Sequence, residues 1–477
     1  MKIVSNAAAR AAVLSMAGWA LTVSAASAVQ DPGVRAGPGA GDPVPGLTAN
    51  QMTLFLNSQE TFKEVDAVGD GLGPRFNLDS CEGCHSFPTH GGSAPAVNPQ
   101  ATQATAMGAK NTLPPFITAN GPIREARFQY QPNGQRDGGV HSLFVISGRV
   151  DASGSAARCT AAQEDFATNF RRGNVSLRIP TPTYGLGLVE NIPDTTLTAN
   201  LAANAQQKAA LGIAGHLNTN ANDGRVARFG WKAQNVSLLL FSGEAYNVEM
   251  GITNELFQTE RDLNANCQTK ATPNDTTGSE NISGIDGFLS DIEQFAIYMR
   301  YLGAPIPSTT APGGAASIQR GAAAFNSVGC SMCHTPSMKT STTTVAALSN
   351  KTVNLYSDLA LHHMGPTLAD NIIQEAAGPD EFRTAPLWGI GQRVFFLHDG
   401  RTKDLLQAIQ LHASGGGVRT NTVATVDATA DFSADVTANR GGQWTNFAPS
   451  EANRVIANFN ALSAASQQDV LNFLRSL

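Results

Sequence analysis

Between Ile285 and Leu302 the apolar residues Ile285, Phe288, Leu289, Ile292, Phe295, Met299 and Leu302 recur at spacings of three and four. That rhythm places them on one face of a helix, and Gly303 and Pro305 stop it. A second helix is expected from about Thr48 to Val68. A third, from Ala316 to Val328, leads directly into Cys330. The last begins at Ser463, a good N-cap, and carries Val470, Leu471, Phe473 and Leu474 to the C-terminus. Elsewhere the pattern is weak. The stretch from Gly71 to His90 is turn-rich, and the apolar run Val140 to Ile146 reads as a strand or a buried extended piece. No repeat of fixed period is apparent.

These elements predict a mainly α protein with long irregular loops and little β-structure. Residues 29–47 are rich in Pro, Gly and Ala and read as a flexible N-terminus. The Pro/Gly/Ser/Thr-rich residues 303–315 read as a linker between residues 48–302 and 316–477, one mainly helical half on each side. Charged residues are scarce at 15%, and Gly reaches 46 of 477, in keeping with long irregular connections.

The first 28 residues have the form of a signal peptide. Lys2 and Arg10 precede a short apolar run from Ala11 to Val23, and Ala26-Ser27-Ala28 is a small-residue cleavage signal. The run is too short and too rich in small residues to span a membrane. The expected product is exported, periplasmic or secreted, with no membrane span. Residues 1–28 carry two cations and no acid, so removing them takes the net charge from −6 to −8. An acidic chain of this kind argues against nucleic acid as a partner.

The six cysteines carry the chemistry. Cys81-Glu-Gly-Cys84-His85 and Cys330-Ser-Met-Cys333-His334 are both C-x-x-C-H motifs. Two thiols at this spacing reach both vinyl groups of a haem, and the adjacent histidine supplies the proximal iron ligand. A redox dithiol needs no following histidine, and a zinc site needs both pairs close together, whereas these lie about 250 residues apart. The expected cofactors are two covalently bound haem c groups with their iron; a structural calcium is a further candidate. Cys159 and Cys267 remain. In an exported chain they are expected to form a disulfide, two free buried thiols being the alternative.

The chain resembles the bacterial di-haem oxidoreductases described as putative peroxidases, relatives of the di-haem cytochrome c peroxidases and the MauG-type enzymes. The resemblance rests on Gly71 to Pro88 with Gly91-Gly92, Tyr184-Gly-Leu-Gly-Leu-Val-Glu190, Arg228-Phe-Gly-Trp-Lys-Ala233 and Met250-Gly-Ile-Thr253. It continues through Tyr356-Ser-Asp-Leu359, Met364-Gly-Pro366, Phe382-Arg-Thr-Ala-Pro-Leu-Trp-Gly389 and Leu397-His-Asp-Gly-Arg401. It implies two cytochrome c-like haem domains, one haem with an open iron position and one six-coordinate haem that passes electrons.

Site residues follow from the same resemblance. In such enzymes the distal ligand of the C-terminal haem lies fourteen residues after the His-Asp-Gly histidine. Counting from His398 gives His412, which would pair with His334; His362, His363 and Met364 are rivals. His398 itself is expected to lie beside that haem without binding iron. The Val248-Glu249-Met250 turn resembles the one carrying the distal acid–base glutamate over the N-terminal haem, whose proximal ligand is His85. Glu190 and Glu244 are alternatives. The resembling peroxidases place a Gln ten residues before that glutamate; here position 239 is Leu. Arg383, Arg393 and Arg401 suit haem propionates, because guanidinium pairs with carboxylate in a bidentate way. Trp231 and Trp388 are expected in the core, with a place between the haems as the alternative. His141 is expected to be a core histidine, and His90 and His216 have no motif support.

The function the resemblance implies is reduction of hydrogen peroxide or another hydroperoxide, with electrons from a small periplasmic cytochrome c or cupredoxin. The alternatives are an oxidase or oxygenase acting on an organic or protein substrate, and a non-enzymatic electron-transfer cytochrome.

Overall fold

The computed structural model describes residues 28–36, 39–73, 75–106, 113–130, 144–147, 164–261, 266–267, 272–277, 288–418 and 446–477. The expected signal peptide, His141 and Cys159 fall outside these residues. Cys267 is disulfide-bonded.

Among the described residues there are fourteen α-helices, and all ten strands pair off as five two-stranded antiparallel ribbons. Helix predominates over strand, and no extended sheet forms among the described residues. No helix among the described residues is long and apolar enough to cross a membrane.

The helix Ala49–Lys63 starts where Thr48 accepts a hydrogen bond from the Gln51 N–H and the Gln51 side chain caps the Thr48 N–H, a capping box worth about 1 kcal/mol. It ends at Lys63, short of the expected Val68. Its buried Phe55 stacks on Tyr298, and Phe62 packs tilted against Tyr298 and edge-on to Phe295. These partners belong to the helix Asp291–Tyr301. That helix begins later than its apolar rhythm predicts. The Ser290 N–H donates to Glu293 Oε2 at 3.0 Å at the start of the helix, leaving Phe288 outside it and 71% exposed. Local capping overrides periodicity here.

The second haem motif sits at the end of a tightly packed helix pair. Ala315–Val328 crosses Ala464–Ser476 so closely that a Cβ on Gly321 would meet the Asp469 carbonyl oxygen at 1.9 Å. Only glycine allows that approach. Gly329, at φ +104°, then turns the chain out of the helix into Cys330. Phe325, Phe459, Val470, Leu471, Phe473 and Leu474 form the core around this pair. Another core cluster joins Leu186, Val189, Phe229 and Met299 to Leu355, Leu359 and Trp388, so apolar packing is continuous across residues 303–315.

The segment expected to be a flexible N-terminus is docked. Arg475, 1% exposed, donates to Asp31 Oδ1 and Oδ2 at 2.7 and 2.6 Å. The Leu405 N–H donates to Asp31 at 2.7 Å, and the Val44 N–H to the Tyr301 carbonyl at 2.7 Å. The apolar run before Ser147 supplies one described strand, Ile146–Ser147, paired with Arg75–Phe76.

Candidate functional site

Two cavities carry the two motifs. The first, about 740 Å³, is lined by Cys84, His85, Glu125, Arg127, Arg178, Trp231 and Glu249, among others. The second, about 1410 Å³, is lined by Cys330, Cys333, His334, Arg393, His398 and His412 within a mostly aliphatic and aromatic wall. Trp231 borders both, and its indole N–H donates to the Ile179 carbonyl at 2.9 Å. Trp388 borders neither; it lines a smaller cavity with Trp231, Arg383 and Arg393.

Three histidines share one arrangement. His85 Nδ1 lies 2.9 Å from the Gly92 carbonyl, His334 Nδ1 3.1 Å from that of Tyr356, and His412 Nδ1 2.7 Å from that of Ala408. A ring nitrogen facing a carbonyl must carry the proton, so Nε2 keeps the lone pair that binds a metal. Burial holds all three below the ordinary imidazole range, His334 pushed down to about 4 with repulsion from His412 contributing. They are therefore neutral, the ligating form. His412 is set just beyond the helix Leu405–Gln410, which Asp404 caps.

The rival histidines are otherwise engaged, although His362 also borders the second cavity. His362 is buried between Asp358 and Glu451, at 3.0 and 2.7 Å. His363 places its two ring nitrogens 3.0 Å from Asp380 and 3.2 Å from Glu381. His216 pairs with Glu381 at 2.8 Å, and His90 sits beside Glu82. His398 stacks on Phe382 with ring centroids 4.3 Å apart, and burial pushes it down to about 4. Met364 borders the second cavity.

The four motif cysteines form no disulfide, and burial raises the thiol pKa of each, Cys330 to about 12. An activated redox dithiol needs the opposite shift. Among the described residues, one cluster of three metal-ligating groups is close enough to hold an ion: Cys333, Asp358 and His362. It is not the all-oxygen cage that calcium prefers.

The arginines separate. Arg393 is buried on the second cavity with Nε and Nη2 unpartnered. An orphaned buried guanidinium is costly and is the chemistry a propionate would satisfy. Arg383 borders the same cavity, but its Nε donates to the Gly230 carbonyl at 2.8 Å and its Nη1 to that of Thr384 at 3.4 Å. Arg401 does not fit its expected role. Asp399, two residues back, holds it at 2.7–3.0 Å, its Nη1 donates to the Thr367 carbonyl, and it borders neither cavity. Anchored histidines, paired thiols and the orphaned Arg393 together fit a thioether-bound haem.

Glu249 borders the first cavity near the end of the helix Leu238–Met250. Asn77 Nδ2 donates to its Oε2 at 3.0 Å, and Glu125 lines the same cavity. Burial and the neighbouring Glu125 hold its pKa well above the ordinary range. Glu244 also borders the cavity and accepts from Asn235. Glu190 borders neither. Its carboxylate is committed to Arg300 at 2.8 Å and to the Leu238 N–H at 2.8 Å, and these bonds make it a structural group.

Sequence reasoning missed Glu125, Arg127 and Asn77. The signal available was Glu125-Ala126-Arg127, an alternation that puts both charges on one face of a strand. That strand, Glu125–Phe128, pairs with Val175–Arg178 and sets Glu125 opposite Arg178.

A family model described as di-haem oxidoreductase, putative peroxidase, matches residues 127–439, a span that contains the second motif and begins after the first. No curated protein and no solved structure matches the chain.

Proposed function

The chain belongs to the di-haem oxidoreductase, putative peroxidase family, and from that premise we propose that it is an exported cytochrome peroxidase with two thioether-bound haems. Cys81, Cys84 and His85 hold one haem; Cys330, Cys333, His334 and His412 hold the other. One observation carries the reading: the second cavity has two histidines anchored through Nδ1, His334 and His412, whereas the first has one, His85, together with the carboxyl groups of Glu125 and Glu249. When bound, the haems supply peroxide binding at an open iron and electron relay from a six-coordinate one.

The protein's own groups do the rest. His85, His334 and His412 present Nε2 while their Nδ1–H groups stay on main-chain carbonyls. Arg393 offers its unpartnered Nε and Nη2 to a propionate. Glu249 holds a proton beside the first cavity, where it can be exchanged with a peroxide oxygen. Trp231 forms a common wall between the cavities and shortens the path for electrons. The donor is a small periplasmic cytochrome c or cupredoxin, and the two halves, residues 48–302 and 316–477, each carry one haem.

The test is peroxide-dependent oxidation of a reduced small cytochrome or cupredoxin by the holoprotein. Two one-electron donors oxidised per hydrogen peroxide consumed is the expected stoichiometry. Absence of peroxide-dependent oxidation with either donor class overturns the reading.

A further inference from the structure

Beside the second motif lies a buried trio that neither haem attachment nor iron ligation uses. His362 and Glu451 line the second cavity, and His362 Nδ1 lies 3.8 Å from Cys333 Sγ. The side chains of Asp358, His362 and Glu451 are 1%, 5% and 8% exposed. His362 Nδ1 is 2.7 Å from Glu451 Oε2, and its Nε2 is 3.0 Å from Asp358 Oδ2.

The main chain around the trio places its protons. Glu451 Oε2 also accepts the N–H groups of Ala214 and Gly215 at 3.0 and 3.1 Å, and its Oε1 accepts that of His363 at 3.3 Å. Asp358 Oδ1 accepts the Ala360 N–H at 3.0 Å. A carboxyl group that accepts several donors is favoured in its ionised form. A ring nitrogen facing an ionised carboxylate carries a proton, and His362 has two such nitrogens. A ring with both nitrogens protonated is an imidazolium. Gly215 permits the enclosure: at φ +53° it packs so closely that a Cβ would meet His362 Cε1 at 2.5 Å.

We propose, resting on the reading that the second cavity holds a haem, that His362 is a fixed positive charge that raises the reduction potential of that haem. Reduction adds an electron, and a cation on a largely apolar wall favours it. Without His362, Asp358 and Glu451 would leave two uncompensated negative charges there; His362 reduces the sum to one. With both ring nitrogens committed to carboxylates, it acts through its charge and not as an iron ligand. The trio is tied to the motif itself, because the Asp358 N–H donates to the Cys333 carbonyl at 2.8 Å.

Potentiometric titration of the holoprotein reads this charge without turnover. In His362→Gln the potential of the six-coordinate haem should fall, the redox equilibrium moving about tenfold toward the ferric form, or about 60 mV. His362→Lys restores a cation and should bring the potential back toward wild type. His363→Gln, at the half-exposed neighbour, should leave both potentials in place. Haem content and the low-spin spectrum should be unchanged in all three. An unchanged potential in His362→Gln overturns the proposal. So does an equal fall in the Gln and Lys variants, because lost packing and not lost charge is then the cause. If the variants do not fold, neutron diffraction from deuterium-exchanged wild-type crystals decides. A deuteron on each ring nitrogen of His362 supports the charge, and a bare nitrogen overturns it. A haem-loaded protein that consumes no peroxide sinks the peroxidase reading alone. A chain with no haem at Cys330 and Cys333 sinks this proposal as well.

Discussion

The imidazole Nδ1 of His412 lies 2.7 Å from the Ala408 carbonyl, four residues back along the chain. This bond orients a neutral ring on the wall of the cavity that also holds His334. His363, one of the rivals, faces carboxylates with both ring nitrogens. Replacing His412 with Ala should leave both haems attached, because the thioethers and His334 remain. It should convert one low-spin iron to high-spin and shift that haem's potential. His363→Ala should leave the absorption and resonance spectra unchanged. The reverse pattern would move the ligand to the Leu361 to Met364 segment.

Arg393 and Arg401 should behave differently despite similar chemistry. Arg393→Gln removes a buried, unpartnered guanidinium from the cavity wall. Loss of positive charge beside a haem favours the oxidised state, so the potential should fall, by about 60 mV for each tenfold change in the redox equilibrium. Arg401→Gln breaks a local pair with Asp399 and should leave both potentials in place. Potentiometric titration of the two variants separates them.

The two glutamates first suggested for acid–base work should also part. Glu249→Gln should lower peroxide reduction about 10²- to 10⁴-fold without loss of haem. Glu190→Gln weakens the bonds to Arg300 and the Leu238 N–H. It should cost about 1–2 kcal/mol of stability while turnover in the folded fraction persists. Steady-state kinetics and thermal unfolding read the two effects.

Buried Asp370 binds Arg178 at 2.8 Å and Lys232 at 3.1 Å. These cations hold its carboxyl well below the usual range against the effect of burial, and burial in turn pushes Lys232 down to about 8. A depressed carboxyl pKa stabilises the fold fully above the unfolded value of about 4, and this stability is lost as pH falls through the folded value. Asp370→Asn should therefore cost about 3–5 kcal/mol near neutrality, since it strands two buried cations. The gap to wild type should narrow below about pH 4. Unfolding curves across pH 3–7 check this; a gap that does not change with pH would count against it.

Local signals were legible in the sequence. Thr48, Ser463 and Asp404 cap helices as their residue types predict, and each C-x-x-C-H histidine borders its own cavity. Non-local relations were not. The Phe288 position obeys helical periodicity yet lies outside the helix, because Ser290 and Glu293 set the start. Residues 29–47 look unstructured by composition but are docked by Asp31 on Arg475, 444 residues away. Glu125 and Glu249 line one cavity although a strand and a helix more than a hundred residues apart carry them. Arg401 suits a propionate by residue type, yet its guanidinium is held by Asp399, two residues back.

The central claim is that one iron is six-coordinate through His334 and His412 while the other stays open above His85. Electron paramagnetic resonance of the ferric holoprotein measures this directly. One low-spin and one high-spin signal are expected, each integrating to one iron per chain, with the high-spin signal alone altered by added peroxide or cyanide. Two low-spin signals, neither responsive to those ligands, would contradict it.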